Sequence, residues 1–570
     1  MKAFTEPLLS LAGFEEMTKT AEKSSGLISV TGCIDAQKSQ MIYAFGGHRK
    51  NKLIVTFGEQ KAKELYDEYS FFDKEVVYYP SKDVLFYQSD IRGNLLTAER
   101  IRALKAIREQ ERVTLVTTFD ALMNTMAPIE KMWENVLTLE QGQLLDLKEI
   151  QAALIRMGYE KEYQVQTMGQ FSVRGGILDV FPLTEENPIR IELWGDEIGT
   201  IRYFDCESQK SIENIDRVSI YPAAELVLSD EEKAGGIEKL KAEAKRVSDK
   251  LRKQMKTEEA HRVTVMADEL TEEWGELSMY AGMDAFLSYF FDERVGLLDY
   301  FKPSDSLIFF DELTRCAEQG KLTETEFSES MKQRLAMGYI LPGQMNGLFT
   351  EKEIVAKLEK YSCIALGALD NKANGLHQLG SYGIHCQSVS PYNNSFELLI
   401  KDLKRYKKNG YRVILLSGSR TRAKRLSEDI TDQGITCFYT ENYDHELLEG
   451  QIMVCYGKVR RGFEYPILKF AVITESDIFG AQQKKKKRHR TYEGEKIQSF
   501  TDLSVGDYVV HENHGLGIYR GIEKLEVDKK VKDCIKIEYQ GGSNLYILAT
   551  QLDMIQKYAG KDARKPKLNK

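Results

Sequence analysis

The sequence predicts a multidomain α/β protein, and three observations carry that reading. Apolar strand-like runs alternate with helical stretches near the start of the chain and again between residues 346 and 480. Short segments of alternating pattern with glycine turns interrupt the first α/β stretch and form the last one. At 570 residues the chain is too long for one hydrophobic core. Strands alternating with helices imply a parallel sheet, and runs of short strands imply antiparallel units.

Residues 1–136 form the first part of the opening α/β unit. "GLISVTG" (26–32) and "NKLIVTF" (51–57) read as buried strands, with "SQMIYAF" (39–45) opening a helix between them. "GEQKAKELYDEY" follows as a helix and "EVVYYP" as a strand. "TAERIRALKAIREQ" is then a helix with Thr97 as N-cap, and "RVTLVTTF" a strand. Over 137–222 the pattern turns antiparallel, in "QFSVRGGILDVFP" and "PIRIELWGDEIGTIRYFD". Residues 223–345 lead through a long charged helical stretch back to the parallel sheet at "SDSLIFFDEL" (304–313). A second α/β unit spans 346–482, centred on "GYRVILLSGSRTRAKRLSEDITDQGI". Residues 483–500 are a basic linker holding "KKKKRHR", 501–560 a β-rich unit that reads as a small barrel, and 561–570 a basic tail.

Composition bounds the chemistry. Hydrophobic content of 42% and charged content of 29% describe an ordinary globular protein, and a net charge of −8 confines any nucleic-acid contact to local patches. The eight cysteines (33, 206, 316, 363, 386, 437, 455, 534) include no C-x-x-C pair, which argues against zinc and against a disulfide framework. No signal-peptide pattern or long apolar run occurs, so a cytoplasmic protein without a membrane partner is expected. His511 and His514 suit turn hydrogen bonding better than metal ligation, and no metal site is expected.

"TGCIDAQKS" (31–39) departs at one position from the phosphate loop G-x-x-x-x-G-K-[ST]. Gly32, Lys38 and Ser39 fit, and Gln37 stands where the second glycine belongs. Backbone comes so close to phosphate at that glycine that a side chain has no room. Downstream, "LIFFDE" ends in Asp311 and Glu312, the form of a strand that would hold magnesium. The pair reads as a vestigial nucleotide site without turnover. The alternative is an active nucleotide-dependent, DNA-acting enzyme using the same residues.

On these motifs and on "SVRGGILDVFP" the chain resembles the excision-repair subunit UvrB. Its closing stretch, "VGDYVVHENHGLGIYRGIEKLEV…CIKIEYQGGSNLYILATQLDMIQKY", resembles the polymerase-interacting domain of bacterial transcription-repair coupling factors. The resemblance covers their N-terminal half. It implies a degenerate RecA-like (P-loop NTPase-like) domain with an inserted antiparallel α+β domain that binds UvrA. It further implies a linking α/β domain and an SH3/Tudor-like barrel that binds the RNA polymerase β subunit. ATP, magnesium and most contact with double-stranded DNA would belong to a translocase motor outside this chain, so no cofactor is expected here. Carried over by position, Arg174, Arg190 and Trp194 would contact UvrA, and Leu525, with Ile522 and Val527 at an exposed edge, would contact the polymerase. By period two, Arg190, Glu192 and Trp194 share a polar face opposite Ile189, Ile191 and Leu193. Substitutions at Arg174, Arg190 and Trp194 are therefore expected to spare the fold.

Overall fold

The computed structural model describes residues 1–45, 50–82, 94–276, 283–369, 375–480, 494–496, 503–511, 515–527, 530–539, 544–548 and 555–558. Seven strands form an all-parallel sheet in the spatial order Gln378–Gly383, Gly26–Thr31, Ser362–Leu366, Ser306–Asp311, Asn51–Thr56, Thr114–Thr118, Val77–Tyr79. Its central strands are apolar along almost their whole length because helices cover both faces.

Two of those strands correct the expected domain boundary. Ser362–Leu366 and Gln378–Gly383 lie past residue 345, yet they flank Gly26–Thr31 on its two sides and complete the first sheet. The second α/β unit therefore begins beyond residue 384. Its six strands run Gln387–Ser388, Phe463–Tyr465, Phe470–Thr474, Arg412–Ser417, Ile452–Tyr456, Phe438–Tyr439. The two sheets are joined by one apolar cluster, which contains Ile54 and Phe309 from the first and Ile414, Met453 and Phe470 from the second. The Tyr465 hydroxyl donates to Gln40 Oε1 at 3.3 Å across this junction. Arg460 pairs with Glu64 at 2.6 Å beside it.

The insertion leaves and re-enters through the antiparallel pair Leu137–Glu140 and Arg217–Ile220. It holds a six-stranded sheet in the order Ser211–Ile215, Glu197–Phe204, Ile189–Trp194, Ile177–Val180, Gln170–Arg174, Glu160–Lys161, antiparallel except at the last pair. The helix Leu147–Arg156 packs on one face, and Asp146 caps it by accepting the Lys148 and Glu149 amides. Leu154, Phe171, Leu178, Ile189, Ile191 and Ile198 form a core of their own.

The charged stretch after the insertion forms two helices, Asp230–Lys253, opened by a Ser229/Glu232 capping box, and Thr257–Glu276. The helix expected to start after Thr97 runs Asn94–Glu109, so Thr97 lies inside it rather than capping it.

The last unit is antiparallel throughout, in the order Gly494–Lys496, Ile555–Tyr558, Tyr508–His511, Gly515–Val527, Lys530–Glu538, Asn544–Leu548. Val509, Tyr519, Ile535 and Ile537 fill its core. His511 is buried on its strand. His514, the 484–490 basic run and the 561–570 tail lie outside the described residues. Among the described residues there is no cluster of metal-ligating side chains, and no helix is long and apolar enough to cross a membrane.

Candidate functional site

The strand Gly26–Thr31 ends at Gly32 with φ +77°, where a Cβ would lie 2.0 Å from the Ile384 carbonyl oxygen. Ile384 N–H donates to Thr31 O at 2.9 Å, which locks that approach. The amides of Gly32 and Cys33, placed to open a phosphate nest, instead donate to the carbonyls of Ala368 (3.2 Å) and Gly367 (3.0 Å). Helix already begins at Asp35. The glycine that fits the phosphate-loop pattern is thus required by a neighbouring strand end.

Lys38 is buried and its ammonium is fully committed. Nζ stands 2.5 Å from Asp311 Oδ1, 2.9 Å from Glu312 Oε1 and 3.2 Å from Asp35 Oδ1. Asp311 Oδ2 accepts the Thr56 hydroxyl at 2.9 Å, and Glu312 Oε1 accepts the Ala368 amide at 3.2 Å. Burial works against the charge on Lys38, but Asp311 and Glu312 outweigh it and hold the pKa above the usual lysine range. The cation that would reach phosphate is neutralised by the two acids that would hold magnesium. Gln37 is wholly buried, and its amide has no conventional hydrogen bond. The polar group it faces is the Cys33 thiol, which burial pushes up to about 11. Ser39 Oγ is also buried and unpaired.

The polar face of the inserted sheet is built around a residue that the sequence reading missed. Asp179, 1% exposed, stands opposite Arg190 in register. It accepts Arg190 Nε at 2.7 Å on Oδ1, and on Oδ2 both Arg190 Nη2 at 2.9 Å and Arg174 Nη2 at 3.0 Å. Arg190 also donates to Gln209 Oε1 at 2.8 Å and lies 4.3 Å over the Phe204 ring. Arg190 is therefore a half-buried structural cation, which corrects the expectation that it can be replaced without cost to the fold. Trp194 is different. It is 75% exposed and lies over Gly199 of the adjoining strand, where a Cβ would come within 3.0 Å of the indole. An acid inside the apolar run "ILDVF" was the legible sign of Asp179.

In the last unit, Leu525 and Val527 occupy a two-stranded ribbon, paired by backbone with Lys532 and Lys530. Residues 515–518 pair with 508–511 and residues 534–538 with 544–548, so the ribbon runs past both neighbouring pairings among the described residues. Ile522 does not have the edge exposure expected of it. It is half-buried and packs on the core of the unit.

A family model described as the UvrB interaction domain matches residues 137–226, and one described as the CarD-like/TRCF RID domain matches residues 503–559. The transcription-repair-coupling factor of Bacillus subtilis (strain 168) is 31% identical over 520 residues, covering 91% of this chain and 44% of that protein. That of Staphylococcus haemolyticus is 30% identical over 555 residues, covering 95% and 46%. The chain is a relative of the transcription-repair-coupling factors. It spans less than half the length of these coupling-factor relatives.

Within this coupling-factor relative the two matched segments coincide with the inserted sheet and the C-terminal sheet, and neither includes the loop at 32–39. The loop's strand contact makes a direct prediction. Gly32→Ala should lower the melting temperature, because the new methyl meets a backbone carbonyl and φ is left-handed. The expected loss is about 1–3 kcal/mol, read from chemical denaturation. An unchanged midpoint would mean that the Ile384 approach is not formed.

Proposed function

We propose that this chain is a non-catalytic adaptor that binds RNA polymerase through its C-terminal unit and recruits UvrA through its inserted unit. The observation that carries the proposal is the coincidence of two interaction-domain matches with two separate surface-bearing sheets. The filled nucleotide loop supports the absence of turnover by this chain. In the longer coupling factors, a motor using ATP and magnesium would then supply translocation and most double-stranded DNA contact. The C-terminal sheet would close as an SH3/Tudor-like barrel, and the protein would act in the cytoplasm.

UvrA would dock on the open face that carries Arg174, Arg190 and Trp194. Trp194 is a large, exposed side chain on that face, and an aromatic beside arginines is a favoured anchor. Trp194→Ala should weaken UvrA capture by roughly 1–4 kcal/mol. Its melting curve should stay close to the parent's, since exposed positions typically change stability by no more than about 0.5 kcal/mol. Undiminished capture by this variant would remove Trp194 from the interface.

The polymerase β subunit would add a strand to the ribbon that carries Leu525 and Val527, with backbone groups supplying affinity and alternate side chains supplying specificity. Leu525→Arg should abolish co-purification with polymerase while leaving UvrA capture intact. A folded variant that still retains polymerase would place the contact elsewhere on the unit.

A further inference from the structure

We propose that the C-terminal edge of the second α/β sheet is a contact surface for the phosphodiester backbone of duplex DNA. The inference stands on charge and placement and does not depend on the adaptor reading. Ser417 and Tyr456 are register partners at the ends of adjacent parallel strands, and Gly457 N–H donates to Ser417 O at 2.9 Å. That pairing brings the segments "SGSRTRAKR" (417–425) and "GKVRRG" (457–462) side by side. A third segment binds them together. Glu475 Oε2 accepts the Gly418 amide at 2.7 Å and the Ser417 hydroxyl at 2.9 Å, and Ser476 Oγ donates to Arg460 O at 2.5 Å.

The result is a dense basic edge on a chain whose net charge is −8. Arg420, Arg422, Arg425, Lys458, Arg460 and Arg461 are all exposed. Three of them have acidic partners: Arg420 with Glu441, Arg422 with Glu475, and Arg460 with Glu64. No ion pair engages Arg425, Lys458 or Arg461 among the described residues, so charge is left over for an external anion. Glu475 already occupies the Gly418 amide and the Arg422 guanidinium, so the charge offered outward is that of Arg425, Lys458 and Arg461.

Two features favour phosphodiester over an acidic protein. Arginines outnumber lysines, and the guanidinium fork matches phosphate. Neither segment exposes a large apolar side chain to serve as the desolvated anchor of a protein interface. Contacts of this kind position a protein on DNA without reading sequence.

The test is fluorescence anisotropy of the full chain against labelled duplexes of two unrelated sequences, over a range of salt. Both duplexes should bind alike. Lys458→Ala/Arg461→Ala should reduce the slope of log K against log salt by about 2, roughly 0.9 for each phosphate no longer neutralised. Arg425→Ala, on a separate helix, should reduce it by about 1. Parent and variants share the basic run at 484–490, so its contribution cancels in the comparison. An unchanged slope in both variants overturns the proposal. Displacement of the duplex by polyglutamate at equal charge concentration also overturns it, because the edge would then be reading negative charge alone.

Discussion

Lys38→Ala should lower the unfolding free energy by about 3–5 kcal/mol, the cost of leaving a buried carboxylate without its partner. The carboxylate is Asp311, which is 2% exposed and within 2.5 Å of the lysine nitrogen. In a working phosphate loop the same substitution would spare the empty protein and remove only the stabilisation that nucleotide brings. Here the order is reversed. The lysine already serves the fold, and magnesium–ATP should change the melting temperature of neither parent nor variant. The pH dependence has a definite sign. The folded pKa of Lys38 is raised, so its contribution is complete below the unfolded value of about 10.4 and is lost as pH climbs through the folded one. Urea denaturation at neutral pH, with and without magnesium–ATP, measures the stability loss and the nucleotide effect, and its repetition above a pH of about 10.4 measures the pH dependence. A saturable, ATP-dependent rise in melting temperature that disappears in Lys38→Ala would sink the vestigial reading.

Arg190→Glu should cost a comparable amount, again about 3–5 kcal/mol, and should lose UvrA capture for that reason as well as through any direct role at the interface. The substitution removes the two-pronged partner of Asp179 and sets a second carboxylate against it. Arg174 is too exposed, and reaches Asp179 through a single hydrogen bond, to compensate. The Arg190 pKa is raised, first by its hydrogen bonds to Asp179. Thermal melts of Arg190→Glu and Trp194→Ala, run beside UvrA capture by each, separate fold from interface. If Arg190→Glu melts with the parent, Asp179 is satisfied by other groups and Arg190 becomes a free surface residue.

These two residues show what a local reading carries and where it stops. Period two in "IRIELW" put Arg190 and Trp194 on one face, and the structure agrees, with Ile189, Ile191 and Leu193 turned inward. The pattern held no sign that one of the pair leans on a buried acid while the other lies open, because the acid sits on the neighbouring strand. At the phosphate loop, the missing glycine was visible in the letters. The reason Gly32 remains was not, since Ile384 meets it from far along the chain.

By itself the sequence determined the element types, the antiparallel insertion, the degeneracy of the loop and the kinship to the coupling factors. Helical and strand periodicity, turn residues and motif spacing are local properties of the chain. Only the tertiary structure decided that Ser362–Leu366 and Gln378–Gly383 join the first sheet, or that Lys38 spends its charge on Asp311, 273 residues away. An apolar run encodes that a strand will be buried on both faces. It does not encode which neighbour it pairs with, because parallel registers and buried ion pairs are settled by the packing of the whole chain.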